Sequence, residues 1–320
     1  MTSLERKRLL HLGLHVDANV LAAGSANTAQ ALGDVDRVLE LDAQTKSAWA
    51  EGWRLKVRHL DGSEETYFMK VSLGYHGREA LKGEFISTSA IYAITPDFCP
   101  KPIGFGTFQD DPDSHFYKLA RLHSCSQQVS PGKFGFEIAT YNGDLPQDNT
   151  WCDSWEECFT NGLRHVLKVR EERAGPDPEL DSLLPGLFGK VIPRLLRPLE
   201  SSGRKVKPTL IHGDLWCGNA GIIDEDTEEG IIFDPASFWA HNEYELGNWR
   251  PQRNKFHSEY FDEYHRCMKV SEPCEDFDDR NALYALKFNL QAAALFPKLP
   301  QFLDMVKDEI RRLTELYPDG

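Results

Sequence analysis

Between Val35 and Ser72 the chain alternates apolar and polar residues with a period of two, in three consecutive runs. They are VDRVLELDA (35–43), WRLKVRHLDG (53–62) and TYFMKVS (66–72), joined by a polar turn at Ala43–Ala48 and an Asp61-Gly62 hairpin signal. A period of two places every apolar side chain of a run on one face, so these runs predict strands of one small antiparallel sheet. Past residue 150 the apolar spacing lengthens to that of helices. Ser154-x-x-Glu157 is a capping box, and Trp155, Phe159, Leu163, Val166 and Leu167 fall on one face of the helix it opens. A further helical stretch at 179–200 is predicted to break at Pro185 and Pro193, and 255–268, 279–296 and 301–317 all carry helical spacing. Residues 4–22 also show it, ending at Gly24. A β-rich first third followed by a mostly helical remainder predicts an α+β chain of two lobes.

Charge and cysteine usage narrow the partners. The 320 residues carry 36 Lys and Arg against 50 Asp and Glu, a net charge of −14. That balance argues against nucleic acid or an anionic membrane surface. No apolar run approaches the ~18 residues of a membrane span, and the charged, amphipathic MTSLERKRLLHLGLH lacks the apolar core of a signal peptide. Seven cysteines without metal-like spacing fit reduced thiols and a cytoplasmic location. His11 and His15 stand four apart without a third ligand and read as surface residues.

The chemistry concentrates between Leu210 and Asp234. A short apolar run leads into a polar loop, HGDLWCGN, and a second run, Ile231–Phe233, delivers Asp234. Asp214 precedes Asn219 by five positions, and Asp234 ends the second strand. That is the order and spacing of a phosphoryl-transfer site. An Asp there accepts the proton of the acceptor hydroxyl, while an Asn and a strand-end Asp hold Mg²⁺ with hard oxygens. Lys70 on the third predicted strand would anchor the phosphates of ATP, with Glu84 on the following helix as its partner and Glu79 as a rival. Ser47 and the backbone of its turn would face the phosphates, although that turn has no glycine. His212 is expected to shape the loop rather than to move a proton. Cys217 lies inside the loop and reads as a small filler.

The string HGDLWCGNAG followed by IIFDPASFWAHNEYEL resembles the fructosamine kinase (ketosamine 3-kinase) family, through Trp216, the DPAS tetrapeptide and the His241, Glu243, Glu245 tail. A KFGF…PQ.N.W run at 133–151 is similar too. The resemblance covers about 35–320 and implies a protein-kinase-like fold, with an N-terminal lobe at 1–117 and a helical lobe at 118–320. It also implies transfer of phosphate from ATP to the sugar 3-hydroxyl of a ketosamine, on a protein lysine or a small amine, after which the adduct decomposes: protein deglycation. Trp216 would stack on the sugar, and His241 and Glu243 would face the substrate, unless Glu243 and Glu245 instead brace the loop. Two other readings stay open, a small-molecule kinase of the aminoglycoside or choline type and a non-catalytic kinase-like binding protein. One stretch departs from the family. In SHFYKLARLHS (114–124), HFYK reads as the start of the adenine-binding hinge strand and KLARLH as the end of a helix. A strand of about five residues and a helix of about ten or more do not fit in that length. Either a segment of about twenty residues is missing between Tyr117 and Lys118, on the same element lengths, or the lobes are joined by an unusually direct connection; both flanks match the family, which favours the missing segment, a damaged hinge and weakened ATP binding.

Overall fold

A computed structural model describes residues 35–46, 50–72, 74–102, 115–222 and 230–318. Strands β1 (Val35–Lys46), β2 (Glu51–His59) and β3 (Glu64–Val71) form an antiparallel sheet in that order. The alternation does what its period requires. Trp53, Leu55 and Val57 are buried, while the intervening Arg54 and Lys56 turn outward to pair with Asp42 and Glu64, each at 2.9 Å. Of the expected turn at Ala43–Ala48, residues 43–46 belong to strand β1, and the remainder lies outside the described residues. β1 stays paired through Lys46, opposite Glu51, although its register shifts three times, the last between Ala43 and Thr45. A ladder of backbone bonds on an edge strand needs no apolar side chains, so polar residues alone did not end it.

Helix α1 (Gly74–Ile94) follows the sheet, and helix α2 (His115–Ser126) runs unbroken through the stretch expected to begin a hinge strand. Phe116, Leu119, Leu122 and His123 recur at helical spacing, and Leu119, Leu122 and His123 are fully buried, so the helical period overrides the strand-like look of HFYK. The expected lobe division between Tyr117 and Lys118 falls in the first turn of this helix. The helix at 4–22, its His11 and His15, and Ser47 lie outside the described residues.

The rest packs as one helical body. A hairpin, β4 (Tyr141–Asn142) with β5 (Leu145–Pro146), turns at Gly143, which takes a φ of +60°. Helix α3 (Trp155–Ala174) starts where the capping box predicts, with the Ser154 hydroxyl accepting from Glu157 N–H at 3.3 Å. The two prolines do not break the next stretch. Helix α4 (Pro178–Gly186) continues through a wide π turn (Leu187–Val191), α5 (Ile192–Leu196) and a tight 3₁₀ turn (Arg197–Glu200). Changing the pitch accommodates a residue with no N–H to donate. After four short strands, β6 (Thr209–Leu210), β7 (Ala220–Ile222), β8 (Gly230–Ile232) and β9 (Trp239–Ala240), come α6 (Asn242–Leu246), α7 (Ser258–Cys267), α8 (Phe277–Leu295) and α9 (Gln301–Leu316). β6 pairs with β9, and β7 with β8. The core closes around Trp155, whose ring meets Phe134, Phe159, Tyr244 and Tyr284 and whose indole N–H donates to the Tyr284 hydroxyl at 2.8 Å. Among the described residues no helix is long and apolar enough to cross a membrane.

Candidate active site

The loop between β6 and β7 depends on Gly213. Its φ is +81°, and a Cβ there would run into the Ala236 carbonyl. This turn aims two successive N–H groups, those of His212 and Gly213, at the Glu245 carboxylate on α6, with Gly213 N–H 3.0 and 3.2 Å from its two oxygens. The buried His212 ring spans two further bonds. Nε2 donates to the Phe233 carbonyl at 2.8 Å, and Nδ1 accepts from Asp214 N–H at 3.3 Å. Only the neutral tautomer with its proton on Nε2 makes both, and burial lowers the ring's pKa in the same sense. His212 therefore bolts the loop to the end of β8.

Asp214 projects from this brace into the cleft. Asn219 Nδ2 reaches its backbone carbonyl at 2.8 Å and its carboxylate at 3.2 Å. Burial, and then the charge of Asp234, push the Asp214 carboxyl up to about 8, against hydrogen bonds from Asn142 and Asn219 that pull it down. The loop and β8 are themselves tied, Phe233 N–H donating to the Asn219 carbonyl at 3.1 Å. Asp234 then adopts a φ of +59°, a left-handed conformation uncommon outside glycine, and no helix follows it at 235–238. It ion-pairs with Lys70. Lys70 Nζ also sits 3.2 Å from both Glu84 oxygens, whereas Glu79 faces Lys82 at 4.0 Å. Burial acts to lower the Lys70 pKa, but the Glu84 and Asp234 charges outweigh it and the net shift is upward.

These groups line one cavity of about 680 Å³, with Lys70, Glu84 and Asp234 shared between them and Asp214, Asn219 and Trp216. The Trp216 ring, 39% exposed, lies over Gly218, where a Cβ would collide with it. Cys217 beside it is exposed. Asn219 Oδ1 and the Asp234 carboxylate offer two hard oxygens to the cavity; among the described residues no cluster of three or more His, Cys, Asp or Glu side chains could hold a metal by itself.

Two expected substrate residues are elsewhere. His241 is buried, its Nδ1 and Nε2 both 2.9 Å from the hydroxyls of Tyr284 and Ser271, and burial drives its pKa down to about 4. Glu243 is equally buried, accepting from Ser271 N–H at 2.6 Å and pairing with Arg280 at 2.9 Å. Both point into the core, because the single turn of α6 sends Glu243 and Glu245 to different partners. Glu245 is the one that braces the loop. The 133–151 run does the same work from the other side, with Gln147 Nε2 on the Ala236 carbonyl at 2.8 Å and Gly135 and Trp239 exchanging backbone bonds. Asn142 sends Nδ2 to the Gly213 carbonyl at 3.2 Å and accepts from Gln291 Nε2 on α8 at 2.7 Å. Its one sequence signal was membership of the KFGF…PQ.N.W run.

A family model described as fructosamine kinase matches residues 39–315. Ketosamine-3-kinase of Mus musculus is 37% identical over 265 residues, covering 71% of this chain and 81% of that protein. A chloroplastic protein-ribulosamine 3-kinase of Oryza sativa subsp. indica is 30% identical over 252 residues, covering 72% and 68%. Among solved structures, a fructosamine-3-kinase candidate from Thermobifida fusca superposes with a TM-score of 0.70 at 19% identity, over 91% of this chain and 99% of that one. The aminoglycoside phosphotransferase APH(4)-Ia does so with a TM-score of 0.53 at 10% identity, over 87% and 95%. At such identities these neighbours carry the fold, which is two-lobed and kinase-like. The match across 39–315, together with the mouse relative, means that the chain belongs to the fructosamine kinase family.

Proposed function

We propose that the protein transfers the γ-phosphoryl group of ATP to the sugar 3-hydroxyl of ketosamines, with ribulosamines or fructosamines on protein lysines or small amines as acceptors. The observation that carries this reading is the convergence of Asp214, Asn219, Asp234 and Lys70 on one cavity in a chain of this family. The relatives' names, ketosamine-3-kinase and protein-ribulosamine 3-kinase, support this acceptor over an aminoglycoside or choline. The complete set of charged groups speaks against a non-catalytic protein.

In this reading Asp214 orients the acceptor hydroxyl and takes its proton as the new P–O bond forms and the bond to ADP breaks. Lys70, held by Glu84, anchors the phosphates. Asn219 and Asp234 fit Mg²⁺, because their oxygens are hard donors on one wall, and an ion that keeps waters and phosphates as ligands needs only one or two protein groups. Bound there, Mg²⁺ would neutralise charge on the β- and γ-phosphates. Trp216 gives the sugar an apolar ring to lie on. The phosphorylated adduct would then break down and free the amine. The test is ATP-dependent phosphorylation of ribulosyl-lysine and fructosyl-lysine by the purified protein, read by phosphorus NMR at the 3-position. Turnover of aminoglycosides or choline with neither ketosamine used would overturn the reading.

A further inference from the structure

Arginines in this acidic chain usually meet a carboxylate. Arg194 reaches Asp276, and Arg250 reaches Asp278, each at 2.7 Å, while Arg280 lies 2.9 Å from Glu243. Arg253 lines the same cavity as Asp214 and Trp216 and has no carboxylate within ion-pairing reach among the described residues. It stands on a short 3₁₀ turn, Gln252–Asn254. Nη1 donates to the Asn289 side-chain carbonyl on α8 at 2.7 Å, and the guanidinium lies 5.2 Å from the centre of the Phe302 ring on α9. One edge is thus fixed by a neutral amide and one face by an aromatic ring, leaving other N–H groups unpaired among the described residues. The residue as a whole is exposed to solvent, and the burial that its guanidinium does have lowers its pKa. With 50 acidic residues available to pair with 36 basic ones, an unpaired guanidinium in the cleft is a site for an incoming anion. Its supports, Asn289 on α8 and Phe302 on α9, belong to the helical lobe and not to the Lys70 wall read as holding the phosphates.

We propose that Arg253 binds a carboxylate of the acceptor, so that the preferred substrates are ketosamines whose amine carries a carboxylate, as adducts of amino acids do. The proposal rests on the ketosamine kinase reading. Two acceptors test it, Nα-acetyl-Nε-ribulosyl-lysine and its carboxamide, which differ only at the carboxyl group. The protein should favour the carboxylate by roughly tenfold in kcat/KM, the usual scale of a charge-assisted hydrogen bond at a half-open site, and the preference should shrink at high salt. Arg253→Ala should abolish it with an unchanged KM for ATP, and Arg253→Lys should keep part of it. Equal kcat/KM for the two acceptors overturns the proposal while leaving the kinase reading intact. A raised KM for ATP with the acceptor ratio unchanged in Arg253→Ala also overturns it. If neither acceptor is phosphorylated, the kinase reading fails, and calorimetric binding of the same pair decides Arg253: equal affinities count against it, and carboxylate-selective binding lost in Arg253→Ala supports it. Should Arg253→Ala not fold, Arg253→Lys and the salt dependence decide between the same two outcomes.

Discussion

The two walls of the cleft are held by different forces. On the sheet side, Lys70 is held between the charges of Glu84 and Asp234, on a sheet whose described side chains form a separate small cluster of Leu55, Val57 and Tyr67. On the helical side, Asp214 hangs from a loop fixed by hydrogen bonds to buried groups, Glu245, His212, Asn142 and Asn219, above a core that includes Trp155, Tyr244 and Tyr284. Charge pairs can exchange one partner for another, as phosphate for carboxylate, with little rearrangement. A buried carboxylate that satisfies two backbone N–H groups has no substitute. The difference teaches that the group proposed as proton acceptor is built in advance, while the proposed phosphate anchor is left exchangeable.

The sharpest way to probe this division is Asp214→Asn, expected to lower kcat by about 10²–10⁴-fold, the usual worth of a general base, with the melting temperature no lower than the parent's. A kcat near the parent's at saturating Mg·ATP would end the assignment. Next come two substitutions that should behave differently if the walls do. Glu245→Ala strands the N–H groups of His212 and Gly213 and should cost roughly 2–4 kcal/mol in urea unfolding. Glu84→Ala leaves Lys70 its Asp234 partner, so it should cost less stability than Glu245→Ala and instead raise the KM for ATP. Equal losses of stability would break the comparison. The smallest effect is a pH shift. Because burial and the Asp234 charge push the Asp214 carboxyl up, the proposed base is competent only once deprotonated, so kcat/KM should rise with pH above the ordinary carboxylate range, and less far where Mg²⁺ on Asp234 offsets that charge. Stability runs the other way: the contribution of a raised carboxyl is complete below its unfolded value and is lost as pH rises through the folded one. Asn142→Ala removes a bond that holds this pKa down and should move the rate profile to higher pH.

What the sequence revealed was what lies close along it. Asp214, Asn219 and Asp234 fall within one strand-loop-strand, and Lys70 and Glu84 within one strand and the next helix, so spacing alone could nominate them. His241 and Glu243 were misassigned for the same reason: nearness to the loop in sequence does not tell which way a single helical turn sends its side chains. Gln291 and Arg253 were invisible, and Asn142 stood out only as a member of a longer run, because packing, not spacing, brings them to the cleft, Asn142 and Gln291 from 149 positions apart. HFYK looked like a strand until its buried neighbours at helical intervals were seen to share a face.

Helix α6, five residues long, carries both Glu243, fastened to Arg280 in the core, and Glu245, fastened to the catalytic loop. One turn thus links the order of the loop to the integrity of α8. On heating, loss of the loop's order and melting of the helical body should then be a single event. Amide protons of the catalytic loop should exchange with solvent no faster than those of the deepest helices, while those of the sheet exchange earlier.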